Sequence, residues 1–142
     1  MINDYKIKNA IYDAVLQEVV VNQTLLDSTN FAYPNAKFES NGKSEWVKFS
    51  WLPVNEDINQ NAGQTVFVGI MQVDVIIESG TSDAEILAEP IVLAVKKSMK
   101  PFVPISADTV SRILIESTTV SQPFQDKNLW RTPITVNIKA FS

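Results

Sequence analysis

From residue 4 to residue 20 the apolar side chains fall at Ile7, Ala10, Ile11, Ala14, Val15 and Val19. Spacings of three and four place them on one face of a 3.6-residue helix, so the pattern predicts an amphipathic helix over 4–20 that buries this stripe against a sheet. Asn3 or Asp4 stands where a cap is needed, and Asp4 also suits the positive end of the helix dipole. Segment 21–43 then loses the period. Asn22, Asn30, Pro34, Asn35, Asn41 and Gly42 are turn formers, leaving room for one short strand at Phe31-Ala32-Tyr33. Over 45–52 the period becomes two: Val47, Phe49 and Trp51 share a face, Lys48 and Ser50 take the other, and Pro53 ends the strand. Trp51 is therefore expected in the core. Trp46, on the polar face, and Trp130, near a later strand start, are expected to be partly exposed and to serve as interface anchors.

Residues 53–64 are polar, acidic and amide-rich, and read as a long exposed hairpin loop, a length that in a small domain signals disorder or function. Residues 65–78 are the strongest strand signal. Phe67, Met71, Val73, Val75 and Ile77 face one side, and Val66, Val68, Ile70, Gln72, Asp74 and Ile76 the other, so its first half is expected to be covered on both faces, by a partner or by the chain itself. A helix follows, with Ser82 and Glu85 spaced as a capping box and a stripe of Leu87, Ile91, Ala94 and Val95 running to about Met99. Pro90 inside it predicts a kink. Alternation returns at 109–117 and 128–141, with a polar turn between, and Pro133 marks the last strand as an edge strand or a bulge. The sum is an α+β fold: a mixed, mostly antiparallel sheet with two helices packed on one face, in a single domain spanning 1–142.

Composition narrows the chemistry. Among 142 residues there is no cysteine and no histidine. Thiolate nucleophiles, cysteine or histidine zinc sites and imidazole relays are therefore out of reach, and a cysteine-free chain suits a reducing compartment. Of the remaining groups, Asp74 and Glu78 are a possible carboxylate pair for acid–base work, more simply read as outward polar positions on a strand. Glu56 and Asp57 lack the alternating ligands of a calcium loop. The four glycines are not spaced to cradle phosphate. A net charge of −4 gives no footprint for a nucleic-acid backbone, and Lys96, Lys97 and Lys100 read as a complement to a helix dipole. No stretch reaches the roughly 20 apolar residues that cross a bilayer, and the amino terminus lacks the apolar core of a signal peptide. The chain is expected to be no enzyme, with no cofactor, no metal and no membrane partner, and to work through its surfaces.

A set of segments carries a resemblance. They are the amino-terminal helix, the Tyr33-Pro34-Asn35 turn with Phe38, the Trp46-Val47-Lys48-Phe49 strand with Leu52-Pro53, and the run from Gly69 to Val75. The Ser82–Met99 helix and the closing Trp130-Arg131-Thr132-Pro133-Ile134-Thr135-Val136 strand complete it. In this order they resemble the tail terminator, or tail completion, proteins of long-tailed phages across nearly the whole chain. Pro90, in a helix usually rich in alanine, and the amide-rich loop 53–64 depart from the pattern. The resemblance implies a structural virion protein of the tail and neck, assembled in the host cytoplasm. It implies a hexameric ring that caps the tail tube, ends polymerisation of the tube protein and joins the tail to the head connector. DNA would pass through its lumen without sequence-specific binding. The interface residues this points to are Trp46, Glu56, Asp57, Asn59, Gln60, Asn61, Val66, Val68, Trp130 and Arg131. The rival readings are another neck, minor tail or head-completion protein, a carboxylate enzyme built on Asp74 and Glu78, and an adaptor that binds a peptide along the 128–141 edge.

Overall fold

The amphipathic stripe forms α1, Asp4–Leu16, in a computed structural model that describes residues 4–52, 66–78, 83–101, 105–107 and 110–141. Ile7, Ile11 and Val15 are fully buried on its inner face. Where one α-helix was expected to reach residue 20, the chain widens at Gln17–Asn22 into a π-helical stretch. Glu18 and Val19 are both buried within it. It closes with Gln23 N donating to Glu18 O at 3.1 Å and Leu25 N donating to Val19 O at 2.9 Å. Thr24 between them takes φ 50°, a left-handed conformation that a β-branched residue adopts only when its surroundings impose it.

Among the described residues the sheet has seven strands: β1 Phe31–Ala32, β2 Glu45–Leu52, β3 Val66–Glu78, β4 Ile105–Ala107, β5 Val110–Val120, β6 Phe124–Asp126 and β7 Leu129–Phe141. Helix α2, Ala84–Ser98, lies between β3 and β4 in sequence. The sheet order is β1-β2-β3-β7-β5-β4, with β6 paired to β7. Among the described residues β1 pairs with β2 in parallel, and the remaining pairings are antiparallel. The fold is thus α+β with a mixed, mostly antiparallel sheet, as the periodicities predict.

Register fixes what each face carries. Val47, Phe49 and Trp51 stand opposite Val75, Val73 and Met71, which in turn stand opposite Thr132, Ile134 and Val136. This inner face meets α1 and α2, and with Ile7, Ile11, Ala88, Ile91, Ala94 and Val95 it makes the core. The outer face begins at Trp46, Lys48 and Ser50, opposite Ile76, Asp74 and Gln72. Within the single chain, double coverage is seen on the second half of β3. Val73 through Ile77 are all buried, whereas Val68, Ile70 and Gln72 are only half-buried. The segment after β1 folds back over the outer face, bringing the Phe38 ring to 6.0 Å from that of Trp46.

Two proline expectations are revised. Strand β7 is interior, between β3 and β5. Along its β5 side, β5 pairs from Ile134 onward and β6 pairs up to Arg131. Pro133 falls at that seam, its carbonyl accepting from Ser121 N at 2.9 Å. A residue's N–H and C=O point to the same side of a strand, so the absent N–H costs the β3 ladder nothing, and the ladder runs unbroken through Asp74 and Pro133. Pro90 likewise sits within a continuous α2. The carbonyl it leaves without an intrahelical partner belongs to Ile86, on the exposed side where water can serve it. The helix begins at Ala84 with Asp83 at the cap position, making no side-chain cap bond. Ser82, the expected cap, lies outside the described residues.

Candidate assembly surfaces

Three surface features stand out. The first is a groove of about 640 Å³ between α1 and the β1–β2 edge, lined by Tyr5, Lys8, Tyr12, Asp13, Tyr33 and Trp51 among others. Its walls are an aromatic cluster. Tyr12 lies 5.1 Å from Tyr33, edge to face, and 4.7 Å from Phe49. Trp51 Nε1 donates to the Tyr12 hydroxyl at 2.7 Å, and Lys8 Nζ sits 5.0 Å above the Trp51 ring. Burial raises the Tyr12 hydroxyl pKa above its ordinary value, with the Trp51 bond opposing. Tyr33 is raised by burial and by the nearby Asp13 and Tyr12. Both hydroxyls are therefore neutral at physiological pH, and the groove offers rings flanked by one cation and one carboxylate. Trp51, expected in the core, is a half-buried wall of this groove.

The second feature is the outward side of α2. Ala84, Ala88, Ile91, Ala94 and Val95 face the core, yet Ile86 is 69% and Leu93 55% exposed. Leu87, expected in the buried stripe, is also exposed. Beside this ridge lies a smaller cleft of about 360 Å³ floored by Val120, Pro123 and Trp130. The Trp130 indole nitrogen is buried there with no acceptor among the described residues.

The third is the outer sheet face around Asp74. Gln72 Nε2 donates to Asp74 Oδ1 at 2.9 Å. Arg131 Nη1 lies 3.7 Å from Asp74 Oδ2, and Arg131 Nε lies 3.0 Å from Asp126 Oδ2 without hydrogen-bond alignment. Asp74 is buried rather than outward and open. Glu78 is exposed and four residues along the same strand, roughly 13 Å away at strand rise, too far to share a proton with it. Among the described residues no cluster of acidic side chains could hold a metal, and no helix is long and apolar enough to cross a membrane.

The expected interface residues scatter over these features. Trp46 is 8% exposed, covered by Phe38, and is not a free anchor. Trp130 is half-buried against the core. Arg131 and Val68 lie on the outer face, with Val68 opposite Lys139. Val66 pairs with Phe141 at the far end of β3. Glu56, Asp57, Asn59, Gln60 and Asn61 lie outside the described residues. Lys97, beyond complementing the helix dipole, is paired with Glu18 at 3.2 Å. The aromatic groove and the α2 ridge escape sequence reading. The one available signal is that α2 carries Ile86 and Leu93 in addition to a complete inner stripe.

Among the solved structures that share this fold are the following two. One, which carries no functional description, superposes with a TM-score of 0.68 at 14% identity, covering 94% of each chain. The other is from the virion of a native gene transfer agent particle, with a TM-score of 0.66 at 12% identity, covering 98% of this chain and 97% of that one. At such identities the likeness is one of fold. A search of curated proteins returns no significant match. A family model described as phage tail terminator protein matches residues 10–138.

Proposed function

Because the chain belongs to the phage tail terminator family, we propose that it is a virion protein forming a hexameric ring that caps the tail tube. In this reading the ring ends polymerisation of the tube protein and joins the tail to the head connector, with DNA passing through its lumen, and the chain catalyses nothing. The observation that carries the proposal is the extent of the family match, which runs from within α1 nearly to the end of β7. The fold supports it, since ring assembly needs two different exposed patches on one protomer, and the aromatic groove and the α2 ridge are two such patches. The net charge of −4 also suits a lumen that must let DNA slide.

Loss of the gene is expected to give overlong tails, seen by negative-stain microscopy. Light scattering of the purified protein with its tail-tube protein is expected to show six copies at the tube end. Normal-length tails detached from heads would overturn termination in favour of a neck-joining role. A strict monomer in the presence of tube protein would overturn the ring.

A further inference from the structure

On α2, Ile86, Pro90 and Leu93 stand at i, i+4 and i+7, which is one face of the helix, and it is the face turned away from the core. A helix that has already buried one stripe ordinarily carries charges opposite it. Here the opposite face is apolar from Ile86 to Leu93, Lys97, paired with Glu18, ends it, and further charges flank it: Glu85 and Glu89 toward the amino end, Lys96 toward the carboxyl end. The aromatic groove has the reverse order along α1, with Lys8 toward the amino end and Asp13 toward the carboxyl end. At 1.5 Å per residue, Glu89 to Lys96 spans roughly 10 Å and Lys8 to Asp13 roughly 8 Å. The groove lies over β1 and β2, and the ridge stands beside a cleft floored by β5 and β7, with β3 between them in the sheet. One copy therefore cannot fill its own groove with its own ridge.

We propose that the α2 ridge of one copy seats in the aromatic groove of the next, with α2 running in the same direction as the neighbour's α1. Glu89 then faces Lys8 and Lys96 faces Asp13. The apolar ridge covers the Tyr12, Tyr33 and Trp51 rings, and Tyr5, 70% exposed in the single chain, closes over Ile86. The contact is heterologous, so repeating it makes a ring when the rotation closes. This inference rests on the ring reading and names the surfaces that build the ring.

The absence of cysteine permits a direct test by engineered disulfides. Leu93→Cys and Asn9→Cys proteins are oxidised singly, as a mixture, and as a double variant, with tail-tube protein present. The mixture is expected to give covalent dimers, each single variant none, and the double variant a ladder ending at the ring size. Crosslinking of Leu93→Cys alone would reveal a two-fold contact and overturn the proposal. So would an uncrosslinked mixture under conditions where light scattering shows the ring, leaving the ring reading intact. If light scattering shows no oligomer at all, the ring reading fails and takes this contact with it. A second arm uses charge: Glu89→Lys is expected to weaken assembly roughly tenfold, and Lys8→Glu in the same chain to restore it. A failure of that rescue would also overturn the pairing.

Discussion

Glu18 is a carboxylate placed where the hydrophobic period asks for an apolar residue, and it is buried within the π-helical stretch. It is satisfied there: Gln23 Nε2 donates at 2.7 Å, Asn22 Nδ2 at 2.9 Å, and Lys97 from α2 lies at 3.2 Å. These partners, Gln23 first and then Asn22, hold its carboxyl below the ordinary 4.5. A depressed folded value means that the unfolded chain takes up the proton first as pH falls. The stabilisation is therefore complete above about pH 4.5 and is lost as pH drops through the lowered folded value. Glu18→Gln is expected to lower Tm at pH 7, and the gap to wild type to close as melts are taken down toward pH 3. A gap independent of pH would show that Glu18 acts by packing alone. Thr24 is the neighbouring cost. Its left-handed φ of 50° is the position a helix end usually gives to glycine, and the Glu18 and Val19 carbonyl bonds on either side hold it there.

Among the elements, α2 shows the strongest conflict between local preference and context. Pro90 in a helix interior costs up to about 3 kcal/mol against alanine, and α2 nevertheless runs through it. Because Pro90 and the Ile86 carbonyl lie on the exposed side, restoring the N–H disturbs no packing. Pro90→Ala is expected to gain about 1–2 kcal/mol, several degrees in Tm, measured by thermal melts of the dilute protein. A loss would mean that the proline geometry shapes how α2 lies on the sheet. Most of the elements were legible because period is a direct imprint of burial: 45–52, 65–78 and 128–141 alternate and form β2, β3 and β7 with bounds within a residue or two. What was not legible depended on partners distant in sequence. The period of β7 cannot say that β5 and β6 share one side of it, so Pro133 read as an edge. Nor can the polarity of Lys48 and Ser50 say that Phe38 covers Trp46. The three-residue strands β4 and β6 are too short to show a period at all.

Across the described residues, the single chain leaves a surplus of apolar surface uncovered. The inner face of the sheet and the inner stripes of both helices account for the core. The excess lies on α2 and around the mouth of the α1 groove, where Ile86, Leu93 and Tyr5 are more than half exposed. If that surface is covered by neighbouring copies, the folded chain has a binding partner of its own kind and stability must depend on concentration. A bound native state gains RT ln(1 + [L]/Kd), about 1.4 kcal/mol for each tenfold rise in concentration once above Kd. Wild-type Tm is expected to climb with protein concentration, while that of Ile86→Ser/Leu93→Ser stays flat. At the dilute limit the two should agree closely, since substitutions at exposed sites usually change stability by less than about 0.5 kcal/mol. A core change such as Phe49→Ala would behave differently, costing about 3–5 kcal/mol at every concentration. Equal slopes for wild type and the double variant would place the self-association surface somewhere other than α2. A double variant that is already destabilised when dilute would show instead that Ile86 and Leu93 serve the fold of the single chain.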